Sequence, residues 1–173
     1  MIAPAIAQPA SAPAAVRAVH SAAECRVWQR ELGFARSVEM HDERAFVAHI
    51  HPGAVFDAGA VDAVRGRAAV AKSWSGLIDG KDVLLRWRPG IVDIGGDPDV
   101  ALSRGPYVLE DKRADPATRF RVGLFQSVWV RDRVDGEWRV LFDGSGGPPK
   151  PVESAEAAQH YMAANAPADC IPD

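Results

Sequence analysis

The chain has 173 residues, of which 47% are hydrophobic and 25% charged, with a formal net charge of -3. That is the make-up of one soluble globular domain. There is no basic footprint for nucleic acid and no run near the roughly 18 apolar residues of a membrane span. A chain of this size buries about 70% of its unfolded surface, so folding requires neither a metal nor a disulfide framework. Two cysteines nevertheless stand near opposite ends, Cys25 and Cys170.

Residues 1–21 form an Ala/Pro-rich leader expected to be disordered. Ala3-Pro4-Ala5, Ala5-Ile6-Ala7 and Ala10-Ser11-Ala12 repeat the small-x-small pattern that signal peptidases cut. No basic segment or apolar core precedes Ala3, so the pattern fits either a signal-peptide remnant or a plain tail. Disulfides persist in oxidising compartments, and chain ends often lie close together. A Cys25–Cys170 bridge is therefore expected, with a periplasmic or secreted location; two free thiols and a cytoplasmic location are the alternative.

From Ala22 to Met40, Cys25, Trp28, Leu32, Ala35 and Val38 recur at helical spacing. Asp42 is suited to N-cap a short helix over Glu43 to His49 that buries Phe46 and Ile50, with Pro52-Gly53 as its stop. Short strands are expected at Ala54-Val55-Phe56 and Ala63 to Arg65. A third helix runs from Arg67 to Asp79, with Gly80 as terminator. Four long antiparallel strands follow: Val83 to Ile94, Val100 to Glu110, Arg119 to Arg131 and Glu137 to Phe142, the last two joined at Asp135-Gly136. Pro89 and Pro106 inside two of them predict bulges and a curved sheet. A loop over 145–149 leads to a terminal helix, Val152 to Asn165. The fold class is thus α+β, a strongly bent antiparallel sheet with about three helices on one side and a C-terminal helix and tail.

The order of elements resembles the nuclear transport factor 2-like superfamily, the cone fold of SnoaL-like proteins and ketosteroid isomerases. The stretches that carry it are Asp42-x-x-x-Phe46, His51-Pro52-Gly53-Ala54-Val55-Phe56, Gly66-Arg67-x-x-Val70, Ala101-x-Ser103-x-Gly105-x-Tyr107, Gly123-x-Phe125-x-Ser127-Val128-Trp129 and Asp135-Gly136-Glu137-Trp138-Arg139-Val140. The resemblance covers residues 22–143, the cone domain; residues 144–173 are the loop, helix and tail tied back to it. It implies a pocket between the helices and the concave face of the sheet. The isomerase tyrosine position falls at Phe34 and the base near Ala58, neither able to act, so that mechanism is unsupported. Asp57 is one residue off, on the wrong face unless a bulge turns it.

Asp57 remains the leading candidate base, with His51 second and Asp143 a further acid. His49 and His51 lack a third partner at metal spacing, so no metal and no cofactor are expected. Trp74, Trp87, Ser103, Tyr107, Phe125 and Trp129 are the candidate ligand-binding residues. Arg86, Arg88 and Arg104 form an anion site if they face inward and a solvated face if they do not. Along residues 119–131, Gly123, Phe125, Ser127 and Trp129 share one face, and Val122, Leu124, Gln126 and Val128 the other. Apolar residues on both faces predict cover on both sides; the resemblance implies that the inner face meets the helices and pocket and the outer one a second subunit's sheet, so a homodimer is expected.

Three readings follow. The first is a SnoaL-like protein binding a small, largely apolar molecule. The second is a cofactor-independent isomerase, cyclase or dehydratase with an Asp or His base. The third is a dimeric interaction module whose pocket is filled by its own aromatics, favoured by a cavity well under about 300 Å³.

Overall fold

A computed structural model describes residues 19–167 and 169–172. The leader therefore falls almost wholly outside the described residues. Helix α1 spans Ala22–Glu39 and starts where a capping box is written: the Ser21 side chain accepts from the Glu24 N–H while Glu24 reaches back to the Ser21 N–H. Its inner stripe is Val27, Trp28, Glu31, Phe34, Ala35 and Val38, all buried. Helix α2, Glu43–Ala48, is capped as expected by Asp42, which accepts from Ala45 N–H at 2.9 Å. Strands β1 (Ile50–Phe56) and β2 (Val64–Arg65) precede α3, Arg67–Asp79. Gly80 ends α3 with φ at 64°, in the left-handed region; a Cβ there would also collide with the His41 ring.

The sheet continues with β3 (Val83–Trp87), β4 (Ile91–Ile94), β5 (Val100–Asp111), β6 (Phe120–Arg131), β7 (Trp138–Ser145) and β8 (Lys150–Val152), and helix α4 spans Ala155–Asn165. The strand order is β2-β1-β7-β6-β5-β3, with β4 also paired to β5 and β8 to β6. β1 lies parallel to β7; the other pairings are antiparallel. The sheet is strongly curled, with α1 to α3 against its concave face.

β7 runs on to Ser145 where Phe142 was expected, and three further boundaries differ from the sequence reading. Pro52-Gly53 does not stop a helix; it lies inside β1, which begins at Ile50 and shifts register against β7 between Ile50 and Val55. The long strand expected over Val83 to Ile94 is broken at Arg88-Pro89-Gly90, where Pro89 has no N–H to give the ladder. The break crosses close above Gly105, at which a Cβ would collide with the Arg88 carbonyl oxygen. Lastly, the terminal helix starts at Ala155 rather than Val152, because Ser154 caps it and residues 150–152 add β8 to the sheet.

The two faces of β5 and β6 alternate as expected. Ser103 pairs with Ser127 and Tyr107 with Gly123 on the inner face, Leu102 with Val128 and Val108 with Val122 on the outer. Inside, Trp28, Phe34, Phe46, Phe56 and Trp129 are almost fully buried. Outside, α4 packs Ala158, Tyr161 and Met162 onto Val108 and Val122. This chain's own helix thus covers part of the face expected to meet a second copy, while Phe142, opposite Val128, stays 40% exposed.

The two ends of the described region meet beside β4. Cys25 and Cys170 form the expected disulfide, with Cα atoms 5.7 Å apart. His20 N–H donates to Ile171 O at 2.9 Å. The His20 Nε2 accepts from Val92 N–H and the Glu24 carboxylate from Ile94 N–H, the two outward donors of β4.

Candidate ligand cavity

A cavity of about 200 Å³ opens on the concave side, lined by Asp57, Trp74, Leu85, Trp87, Tyr107, Leu109, Phe125, Asp143, Gly144 and Ser145. Strand pairing builds its wall, since Leu85 lies opposite Leu109 and Trp87 opposite Tyr107. Tyr107 leans over Gly123, where a Cβ would come within 2.7 Å of its ring. Trp74 arrives from α3 and stands at 77° to Trp87 with ring centres 6.0 Å apart. The volume is about a third below the roughly 300 Å³ of ordinary ligand sites, which leans toward the expectation of a pocket largely filled by its own aromatics and limits any occupant to a small molecule.

Two carboxyls serve the cavity. Asp57 leaves the end of β1 with φ at 54°, left-handed for a non-glycine residue, and its N–H donates to Asp143 O at 2.7 Å. That turn brings its side chain to the exposed mouth, where strict alternation along the strand would have pointed it away. Asp143 sits deeper, on β7, and accepts from the Ser127 hydroxyl at 2.7 Å. Burial pushes the Asp143 carboxyl up to about 7, and the negative fields of Glu31 and Asp57 add to this; the Ser127 hydrogen bond opposes it.

Behind this pair lies a third acid. Glu31 is completely buried and accepts from both indoles, Trp87 Nε1 at 2.8 Å and Trp129 Nε1 at 2.7 Å. Burial raises its proton affinity, while the indoles and the hydroxyls of Ser103 and Ser127 pull the other way. Ser127 thus stands between two carboxyls, one at the cavity and one in the core. Sequence reasoning passed over Glu31. Its signal was an acid at the inner position of an otherwise apolar helical stripe, three residues after Trp28 and three before Phe34.

Of the candidate residues, the cavity wall gathers Asp57, Trp74, Trp87, Tyr107, Phe125 and Asp143. Ser103 and Trp129 lie in the core around Glu31. His51 does not line the cavity: its Nδ1 accepts from Gly53 N–H at 3.1 Å within β1. His49 is buried, with Nδ1 2.7 Å from Ala45 O, and burial lowers its proton affinity. Among the described residues no three His, Cys, Asp or Glu side chains are grouped to hold a metal ion. Arg86 and Arg104 stand on the outer register and do not face the cavity. A larger depression of about 770 Å³ between α1 and α4 is rimmed by charges of both signs, Arg36, Glu39, Arg86, Arg88 and Glu110.

This curled sheet with three helices inside defines the NTF2-like fold. A structure of an NTF2-like protein of unknown function from Pseudomonas putida superposes with a TM-score of 0.61 at 17% identity, over 76% of this chain and 90% of that one. A ketosteroid isomerase-like protein from Erwinia carotovora gives 0.57 at 13% identity, over 75% and 100% of the two chains. An NTF2-like protein with a cystatin-like fold from Novosphingobium aromaticivorans gives 0.53 at 18%, over 79% and 86%. No family model and no curated protein matches the sequence.

The Asp143 environment has a direct thermodynamic consequence. A carboxyl that titrates near 7 in the folded chain, against an ordinary 3.8, binds its proton more tightly when folded. Its contribution is therefore full below about pH 4 and is lost as pH rises to about 7, at most about 4 kcal/mol over the interval. Asp143→Asn keeps an acceptor for Ser127 and removes the charge. It is expected to raise the unfolding free energy by several kcal/mol at about pH 8 and to change it little at about pH 4. Urea unfolding at both pH values checks this; equal effects at the two would contradict it.

Proposed function

We propose that the protein binds a small, largely apolar molecule in the cone cavity. The observation that carries this reading is the pairing of an aromatic wall (Trp74, Trp87, Tyr107, Phe125) with a convergent carboxyl, Asp143, that reaches the same space. Ligand sites are apolar cavities with a few placed polar groups of this kind. Native mass spectrometry of freshly purified protein tests it. The expected result is a small-molecule adduct that disappears in Leu109→Trp, which fills the cavity. The reading fails if no adduct forms and no small ligand stabilises the folded chain.

The proton held by Asp143 to neutral pH favours a second reading, an isomerase, cyclase or dehydratase type of enzyme without cofactor. Asp143 would exchange a proton with substrate, and Asp57 at the mouth would act as its partner base. In this reading Asp143→Asn abolishes turnover while binding persists.

Two further features belong to the same proposal. The uncovered outer face, with Leu102, Leu124, Val128 and Phe142, serves as a homodimer contact beside α4, read as a doubled mass in the same spectra. The Cys25–Cys170 bridge supports a periplasmic or secreted setting.

A further inference from the structure

We infer that the cavity selects a ligand carrying one positive charge on a compact apolar body, of the alkylammonium class. This rests on the reading of the cavity as a binding site and names the chemistry that the site recognises. The walls combine electron-rich ring surfaces with acids and carry no Lys, Arg or His among the described residues. Trp74 and Trp87 pack edge to face with ring centres 6.0 Å apart, so nothing fits between them; together they form one aromatic corner of the wall, against which a rounded cation can lie. The Trp87 N–H is already given to Glu31. That wall therefore presents its ring to the cavity rather than a donor, which disfavours an anion. About 200 Å³ admits a trimethylammonium-sized head and excludes a large ligand.

Charge supports the same assignment. The groups facing Asp143 are Asp57 from the end of β1, Glu31 from α1, the Ser127 hydroxyl from β6 and the Tyr107 phenol across the cavity from β5. None supplies a positive charge. A bound cation would, and would thereby displace the proton from Asp143. Affinity must then rise with pH through neutrality and level off above it.

Calorimetric titration with choline and with its uncharged isostere 3,3-dimethylbutan-1-ol tests the inference, at about pH 8 and about pH 5.5. The expected result is that choline binds at the higher pH at least tenfold more tightly than the isostere, and loses at least tenfold at the lower pH. Asp143→Asn, expected to fold at least as stably, should weaken choline far more than the isostere and abolish the pH dependence of choline binding. Equal or tighter binding of the isostere would overturn the cation inference and leave the cavity as a binding site. Binding of neither probe would overturn the cation inference, and the binding reading falls with it only if the mass spectra also show no adduct.

Discussion

Glu31→Ala is expected to lower the unfolding free energy by about 4 kcal/mol, the cost of emptying a fully buried position and leaving two indole donors without acceptors. The carboxyl accepts from Trp87 and Trp129, which stand on β3 and β6 and are both buried against α1. One side chain therefore joins the first helix to two strands of the curled sheet. Glu31→Gln keeps the volume but has a single acceptor oxygen, and its amide N–H₂ confronts the second indole; about 2 kcal/mol is expected. Equilibrium denaturation of the two variants checks the order. A Glu31→Ala protein within about 1 kcal/mol of the parent would show that the indoles find other acceptors.

Loss of the disulfide is the other large effect. Cys25 and Cys170 are 145 residues apart in sequence, so the bridge closes almost the whole folded chain into one loop. The chain-entropy model assigns such a loop about 5 kcal/mol as an upper limit, with real values lower where the denatured state is compact. Cys25→Ser with Cys170→Ser, or reduction of the parent, is expected to cost about 3 to 5 kcal/mol. Thermal unfolding with and without reductant measures this. Alkylation of the denatured, unreduced parent should modify no thiol; two modified cysteines would remove the bridge.

Much of the architecture was legible because local signals agreed with one another. Asp42 as a cap, Gly80 as a stop and the alternation along residues 120–131 each act within a few residues and survived folding. The failures share a cause, since each depended on a partner distant in sequence. Pro52-Gly53 reads as a helix stop, yet pairing with β7 draws it into a strand. The break at residues 88–90 needs the bare surface of Gly105, and β8 needs an open position beside β6. The cavity holds one local failure and one distant one. Aromatic residues announced an apolar wall, and Asp57 was legible as an acid after a strand. Its direction was not, because that depends on one left-handed φ value. Glu31 was hidden for the same reason as the strand break: helical periodicity marks the position as inward but cannot say that two indoles from distant strands converge on it.

The junction between residues 20–25 and 170–171 has a consequence for how molecules behave at high concentration. An open sheet ends in a row of free backbone donors and acceptors, which can recruit a strand from a neighbouring molecule and seed ordered polymers. Here the amides of Val92 and Ile94 are already engaged by His20 and Glu24, and the disulfide holds the tail alongside. His20 just before α1, Glu24 in its first turn and the tail around Cys170 and Ile171 thus close off this edge of the sheet, a task separate from anything the cavity does.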